Sequence, residues 1–400
     1  MKKTLLLTFI IISALYSFGQ EAKEEKTTKP KLSGSALIQT DLIYDGKQMD
    51  PDWIGGFRPS KIPIYVDDPG WGSNGKTYFS IRQSTFKLDG LLPTKHKWGD
   101  IKLHFSFDFF GMGVHAGETS LRIRLAHGIW GPLIIGKEWS TFIDLGAFPD
   151  NWDWWGPSGM ALLTSTMVRY TLDINTHHSL EMAIEMPGSE IDAGHIREID
   201  PTLINFKTKE ILPDLITRYS YHGESGHIKA ALLLRQLTYE ILSQQNDTVV
   251  IKNKFAWALN LTSVIKMFKK HGVLRLQSVF GNGYAGYNND GGVEITPDEN
   301  LRATIKFQYG FVAGFDYYIK DRWTTSLVYS ETNQENSVGQ LSDAFHRSQY
   351  LVGQVIYDIV PDTFMVGLSY QWGKRYNKNL DSADDYRVML SARYFLNWKP

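Results

Sequence analysis

From Arg387 to Trp398, one face carries Val388, Leu390, Ala392, Tyr394, Leu396 and Trp398. The opposite face carries Arg387, Ser391, Arg393 and Asn397, interrupted by Met389 and Phe395. Just upstream, Phe364, Val366, Leu368, Tyr370 and Trp372 alternate with Gly367, Ser369, Gln371 and Gly373. Period two is the spacing of a strand, whose side chains point by turns to opposite sides. An apolar face that ends in aromatics, set against a polar face, predicts a strand lying between hydrocarbon and water.

About sixteen such segments follow one another, each bounded to within a few residues. They are 34–44, 79–90, 99–110, 118–130, 133–142, 164–172, 178–186, 214–222, 226–240, 253–266, 272–281, 303–318, 322–331, 348–359, 363–374 and 386–398. The connections alternate as well. Tight turns are predicted at Gly131-Pro132, Asp173 to His177, His222 to Gly226, Met267 to His271, Lys320-Asp321 and Val360 to Asp362. Long polar loops are predicted over 45–78, 143–163, 187–213, 282–302, 331–347 and 375–385. An even number of strands with short turns on one side and long loops on the other predicts an all-β, antiparallel transmembrane barrel of the bacterial outer membrane.

Some segments alternate cleanly. Ile101, Leu103, Phe105 and Phe107 oppose Lys102, His104, Ser106 and Asp108; Phe255, Trp257, Leu259 and Leu261 oppose Ala256, Ala258, Asn260 and Thr262. Phe307, Tyr309, Phe311, Ala313, Phe315 and Tyr317 make a further lipid face. At Thr85-Phe86 the phase slips, which predicts a bulge. Ala230 to Leu234 is apolar on both faces and is expected against a neighbouring subunit or a plug. A soluble secreted sandwich would bury the same apolar faces inside; the many outward aromatics and the charged opposite faces weigh against it.

The N-terminus adds a compartment. Lys2 and Lys3, the apolar run Leu5 to Leu15, and the small Ser17 and Gly19 before Gln20 make residues 1–19 a signal peptide. Residues 20–33 form a polar periplasmic lead-in rich in Lys, Glu and Thr, and 34–400 form the barrel. Beyond the leader, no apolar run approaches the roughly 18 residues a spanning helix needs.

Composition agrees. About 380 of the 400 residues remain after the leader, more than one dry core usually supports. Aromatic residues make up 13% of the chain and Gly numbers 35, as interfacial girdles and tight turns require. With Cys 0, disulfides and cysteine chemistry are excluded. The formal charge of −1, or −3 without Lys2 and Lys3, points neither to nor away from nucleic acid, and no motif supports nucleic-acid binding.

Sixteen strands enclose a lumen too wide for side chains to fill, so water is expected inside. Parity predicts a channel lining of Arg82, Lys102, Arg122, Arg124, Arg169, Arg218, Arg235 and Arg275, with Lys229 and Arg393 in the same inward set. The inward acids are fewer: Asp41, Asp108, Glu181 and Glu185. On the lipid face each Arg or Lys would cost roughly 2–4 kcal/mol near the midplane, so the inward assignment is favoured. Arg122 and Arg124, flanked by Leu121, Ile123 and Leu125, carry that argument furthest. An excess of wall cations favours small anionic or polar solutes. The competing reading is that these arginines pair with loop carboxylates and hold loops in place.

Loop 143–163 is rich in Pro, Gly and Trp. Folded inward, it would form a constriction carrying Asp144, Asp150, Trp152, Asp153, Trp154 and Trp155, its acids facing the arginine wall. Packed on the rim or on a neighbouring subunit, it would leave the pore wide. A sugar-stacking platform is a third use of its flat rings.

Other motifs carry little. Gly281-Asn-Gly283-Tyr-Ala-Gly286 has dinucleotide-loop spacing, but no helix follows to hold a pyrophosphate. His104, His115, His127 and His177-His178 lack metal-ligand spacing, and Asn288 to Asp290 is an oxygen-rich loop of the kind usually only solvated. No serine sits in a G-x-S-x-G elbow. No catalytic residue, metal or cofactor is expected.

Ser120-Leu-Arg-Ile-Arg-Leu-Ala-His-Gly-Ile-Trp-Gly, Leu133-Ile-Ile-Gly-Lys-Glu-Trp-Ser-Thr-Phe, Pro149-Asp and Trp155-Gly-Pro resemble the DcaP-like porins, as do Arg169-Tyr-Thr and Leu180-Glu-Met-Ala-Ile-Glu. The specific match spans about 118–190. The resemblance implies a sixteen-stranded, homotrimeric outer-membrane channel for small, often negatively charged solutes. It also implies an inward loop after Trp139 and a constriction lined by Arg122, Arg124 and Arg169. Two features depart from the family: residues 20–33 are too short and polar for a coiled coil, and Lys399-Pro400 follow the terminal aromatic Trp398. The sequence therefore reads as a passive diffusion channel with a preference for anions. The alternative is a structural or adhesion barrel with a plugged lumen and partner-binding external loops.

Overall fold

The computed structural model describes residues 29–111, 115, 117–186, 203–243, 248–300, 302–319 and 322–398. The predicted leader 1–19, the lead-in up to residue 28, loop residues 187–202, the turn pair Lys320-Asp321 and the terminal Lys399-Pro400 lie outside them.

Sixteen antiparallel strands close into a barrel. They are β1 (Lys31–Asp45), β2 in two pieces (Lys76–Ser80 and Thr85–Leu92), β3 (Ile101–Asp108), β4 (Arg122–Trp130), β5 (Leu133–Trp139), β6 (Thr164–Asp173), β7 (His178–Glu185) and β8 in two pieces (Leu203–Thr208 and Asp214–Gly223). They continue as β9 (Gly226–Ser243), β10 (Thr248–Met267), β11 (Gly272–Asn282), β12 (Phe307–Ile319), β13 (Trp323–Gln334), β14 (Phe345–Val360), β15 (Phe364–Asn377) and β16 (Ser382–Trp398). β16 returns to β1, with Gly34 opposite Trp398 and Asp45 opposite Arg387. The sheet thus closes on itself with no open edge strand, which is what a sheet in hydrocarbon needs. No described helix is long and apolar enough to cross a membrane.

Each predicted segment coincides with one of these strands. The differences are at the ends and in the expected loop 187–213, of which Leu203–Thr208 is a strand paired with Tyr239 to Ser243. β1 starts at Lys31, whose neighbours through Ser33 pair with Asp89 to Leu91, inside the expected lead-in. The long loop expected over 375–385 shrinks to 378–381, because β15 and β16 stay paired as far as Tyr376 and Ser382, with Lys374 opposite Asp384.

Alternation sorts the two faces. Leu390, Tyr394, Leu396 and Trp398 are exposed on the outside of β16, while Arg387, Met389 and Ser391 are buried inside. β12 exposes Phe307, Tyr309 and Tyr317 and buries Gln308, Val312, Asp316 and Tyr318. Charge thus sits on the inner side at the cost of no apolar contact with lipid.

Two breaks of phase bear on the lumen. β2 is interrupted at 81–84: Ser80 and Thr85 both face in, five positions apart, so one extra residue has been inserted. The predicted slip is therefore just before Thr85-Phe86. In the second break, Ser106 pairs with Leu125 and Phe107 with Ile123, which leaves Arg124 as the bulged residue of β4. This corrects the expected alternation: Leu125 points inward and is 8% exposed, instead of facing lipid.

The interior is not simply water. Loop segments 46–75, 140–163 and 283–306 fold into it and form apolar clusters with the inner wall. Phe142, Ile143 and Leu145 pack with Ala231, Leu233, Tyr284 and Tyr287. Trp53, Phe57 and Ile62 pack with Phe110, Met160, Tyr350 and Val352. This explains why β9 is apolar on both faces at Ala230 to Leu234: one side meets lipid and the other meets loops. The wide open lumen expected of sixteen strands is corspondingly reduced.

Candidate functional site: a lumenal cavity beside the inward loop

Segment 140–163 leaves β5 and follows the inner wall from β8 round to β16. Its root is held by Asp144, which accepts hydrogen bonds from His227 Nε2 (2.7 Å), Lys229 Nζ (2.8 Å) and Thr262 Oγ1 (2.7 Å). Asn260 Nδ2 donates to the Phe142 carbonyl (2.7 Å), and Arg275 Nη1 to that of Gly146 (2.6 Å). Further along, the Asp150 amide donates to Asp316 Oδ1 (3.2 Å) and the Trp152 amide to Gln354 Oε1 (3.1 Å). Wall glycines make room for it. A Cβ at Gly314 would lie 2.6 Å from Pro149, and one at Gly367 would lie 2.8 Å from the Trp152 ring.

The neighbouring loops lock onto the same segment. Asp153 Oδ1 accepts from the Phe57 amide (3.0 Å), and its Oδ2 accepts from Gly156 N (3.0 Å) and the Tyr350 hydroxyl (3.3 Å). Asp290 is fully buried and accepts from Arg58 Nε (3.0 Å), Ser60 N (3.0 Å) and Ser348 Oγ (2.9 Å). Loop carboxylates are therefore clamps between loops and wall.

On the β1–β5 side the loop stops short of the wall and leaves a cavity of ≈ 200 Å³. Its wall side presents Gln39, Lys87, Asp108, Arg124 and Trp139; its loop side presents Phe148, Asp150, Asn151, Asp153 and Trp154; Arg275 and Arg393 complete it. Asp108 receives Arg122 Nε (3.0 Å) and Nη2 (2.7 Å), and Arg124 Nε lies 3.3 Å away. Both guanidinium groups stand over the Trp154 ring, at 5.1 and 4.8 Å, and Arg124 is also 5.3 Å from the Trp139 ring. Arg393 lies 4.0 Å from the Trp152 ring. The indole N–H groups of Trp152, Trp154 and Trp155 make no hydrogen bond, so these rings act through their faces.

The loop acids differ in electrostatics. Burial would raise the Asp144 pKa, but Lys229 and His227 hold it well below the usual carboxylate range. Burial pushes Asp153 up to about 6, even against Arg387 and the amides it accepts from. Burial and then the Asp316 carboxylate push Asp150 up to about 7.

The predicted lining residues divide. Arg122, Arg124 and Lys102 are inward and half-buried. Arg82, Arg169, Arg218, Arg235 and Arg275 are inward but buried, and each holds protein. Arg82 bonds the Ile54 and Gly111 carbonyls; Arg169 and Arg218 share Glu181; Arg235 joins Asp214 to Glu294; Arg275 joins Asp316 to Gly146. Of these five only Arg275 also borders the cavity. Of the predicted constriction residues, Asp150, Asp153 and Trp154 line it, whereas Asp144, Trp152 and Trp155 are packed behind. None of the three loop acids pairs with Arg122 or Arg124, which Asp108 occupies. Sequence reasoning missed Lys87, because the inserted residue at 81–84 reverses its parity. Arg393 and Asp108 were legible as inward positions but not as neighbours across one cavity.

The class that this fold defines is the sixteen-stranded β-barrel of porin architecture. Among solved structures, the outer-membrane channel DcaP of Acinetobacter baumannii shares the fold at 19% identity, over 93% of this chain and 99% of that one, with a TM-score of 0.77. An anion-selective porin from Comamonas acidovorans is similar at 6% identity, over 92% and 100%, with a TM-score of 0.56. OmpT of Vibrio cholerae is similar at 10% identity, over 93% and 99%, with a TM-score of 0.54. No family model and no curated protein matches the chain.

Proposed function

We propose that this porin-type barrel is a passive diffusion channel for small hydrophilic solutes, with a mild preference for anions, and that it works as a homotrimer in outer-membrane lipid. The observation that carries the anion preference is the lining of the cavity. Lys87, Arg124, Arg275 and Arg393 stand against Asp108, Asp150 and Asp153, and burial raises both loop acids above the usual carboxylate range, Asp150 the more. Cations that line a narrow path raise the local concentration of anions. Arg124 stacks on Trp154 and Trp139 and so stays at the cavity wall. The structural likeness to a porin described as anion-selective supports this reading, and a trimeric form of the Vibrio OmpT supports the assembly.

Planar-bilayer recording tests it. Ohmic steps in groups of three are expected, with a reversal potential in a KCl gradient that reports chloride preference. Replacing Arg122 and Arg124 by Gln together should weaken that preference. A barrel without conductance steps, or selectivity indifferent to the double substitution, would refute the reading. Deleting 146–158 should raise conductance, because that segment fills the lumen.

A further inference from the structure

We propose that Asp150 sets the ion selectivity of this channel: its unpartnered carboxyl lines the cavity beside the Asp316 carboxylate, and its charge state strengthens or weakens the preference for anions. The inference rests on the cavity being the conducting path.

Three features single this residue out. It lines the cavity, on the loop side, opposite Lys87 and Arg124. Its Oδ2 is buried and has no hydrogen-bond partner. Its neighbour Asp316 is already committed, accepting from Arg275 Nε (2.6 Å) and from the Asp150 amide itself (3.2 Å). The nearby cations are engaged elsewhere. Arg275 spends Nε on Asp316 and Nη1 on the Gly146 carbonyl (2.6 Å). Arg393 donates Nε to Gln39 Oε1 (2.6 Å) and stacks on Trp152. An ionised Asp150 would thus sit beside a second carboxylate without a direct donor, an arrangement that favours the protonated acid.

Every element packed around it contributes to this balance. Arg275 faces it from β11, Asp316 and Tyr318 from β12, Asp358 from β14 and Arg393 from β16. The two arginines attract its charge; Asp316 and Asp358 repel it. Burial and the two acids prevail, which agrees with a pKa raised to about 7. Asp153 differs. Its oxygens accept from Phe57, Gly156 and Tyr350, and its charge is spread into those donors. When Asp150 is neutral, the four lining cations face fewer negative charges and anions are favoured. When it ionises, one unit of the surplus is cancelled within the cavity.

The test uses the full-length barrel in planar bilayers under a KCl gradient, at pH 6 and pH 7.5. For the native protein the chloride-to-potassium permeability ratio should fall roughly two-fold or more between the two. Asp150→Asn should hold the acid value at both pH values, while Asp153→Asn should keep most of the fall. Asp316→Asn removes the repelling neighbour and should move the midpoint to lower pH, which keeps the proposal testable should Asp150→Asn fail to insert. A native ratio that is flat with pH, an unchanged fall in Asp150→Asn, or a fall lost only in Asp153→Asn would overturn the proposal. A native barrel that conducts at neither pH would overturn the channel reading instead.

Discussion

Gly159 of the inward loop rests directly on Gly310 of the β12 wall: a Cβ at Gly310 would stand 2.4 Å from the Gly159 carbonyl oxygen, and one at Gly159 would stand 2.0 Å from that of Glu331. Backbone meets backbone here, so neither side can yield by turning a side chain. The contact is sealed by the Gly159 amide, which donates to Ser330 Oγ (2.7 Å).

Gly310→Ala is therefore expected to lift the loop off the wall and to cost about 1–3 kcal/mol, the usual penalty for overpacking. Single-channel recording should show a changed conductance level, and thermal unfolding a lower Tm. Gly353→Ala is the control, because a Cβ there meets nothing within 4 Å. Equal behaviour of the two variants would contradict the close fit.

Removing the clamp at the loop root should loosen the whole segment. Asp144→Asn strips the charge that Lys229 and His227 bind and is expected to destabilise by about 3 kcal/mol. The pH dependence has a definite direction. The folded-state pKa of Asp144 is depressed, so its contribution is fully present above about pH 4 and disappears as pH falls through the depressed value. Melting curves from pH 3 to 7 should show the native protein losing this contribution only at the acid end, with Asp144→Asn lacking it throughout.

Loop 46–75 is held across the lumen by Asp290. Asp290→Ala leaves Arg58, Ser60 and Ser348 without their acceptor, at an expected cost of about 3 kcal/mol. Limited proteolysis should then cut within 46–75 faster than in the native barrel, and conductance should rise. An unaltered cleavage pattern would mean that Trp53 against Trp155, with centroids 4.5 Å apart, suffices to hold the loop.

The lipid face can be probed on a single strand. Leu390 is 52% exposed on the outside of β16, and Ser391 next to it is buried inside. Leu390→Arg should destabilise the folded barrel by roughly 2–4 kcal/mol in lipid, measured by denaturant unfolding in vesicles. Leu390→Ile should be nearly silent. A silent arginine would mean that this face is not in hydrocarbon.

Much of the architecture could be read from the chain because hydrocarbon and water impose a period-two code on every stave. Leu390 and Ser391, or Tyr309 and Gln308, declare their faces without any knowledge of neighbours. The code failed where register slipped. Nothing in Arg122 to Leu125 marks Arg124 as a bulge, since the bulge is a mismatch between β4 and β3 and not a property of either strand. Lys87 was lost for the same reason. The roles of the arginines were equally hidden, because Arg82 and Arg124 look alike until one meets the Ile54 carbonyl and the other the Trp154 ring.

The amino-acid order alone thus accounts for a closed, sixteen-stave membrane barrel with basic groups turned inward, since facing lipid or water is settled residue by residue through solvation. What fills the lumen, which cations border the remaining cavity and which merely clamp a loop, and where Asp150 comes to lie beside Asp316 all depend on different strands and loops meeting in space. Their meeting is governed by packing and by hydrogen-bond competition in three dimensions, which local alternation does not encode.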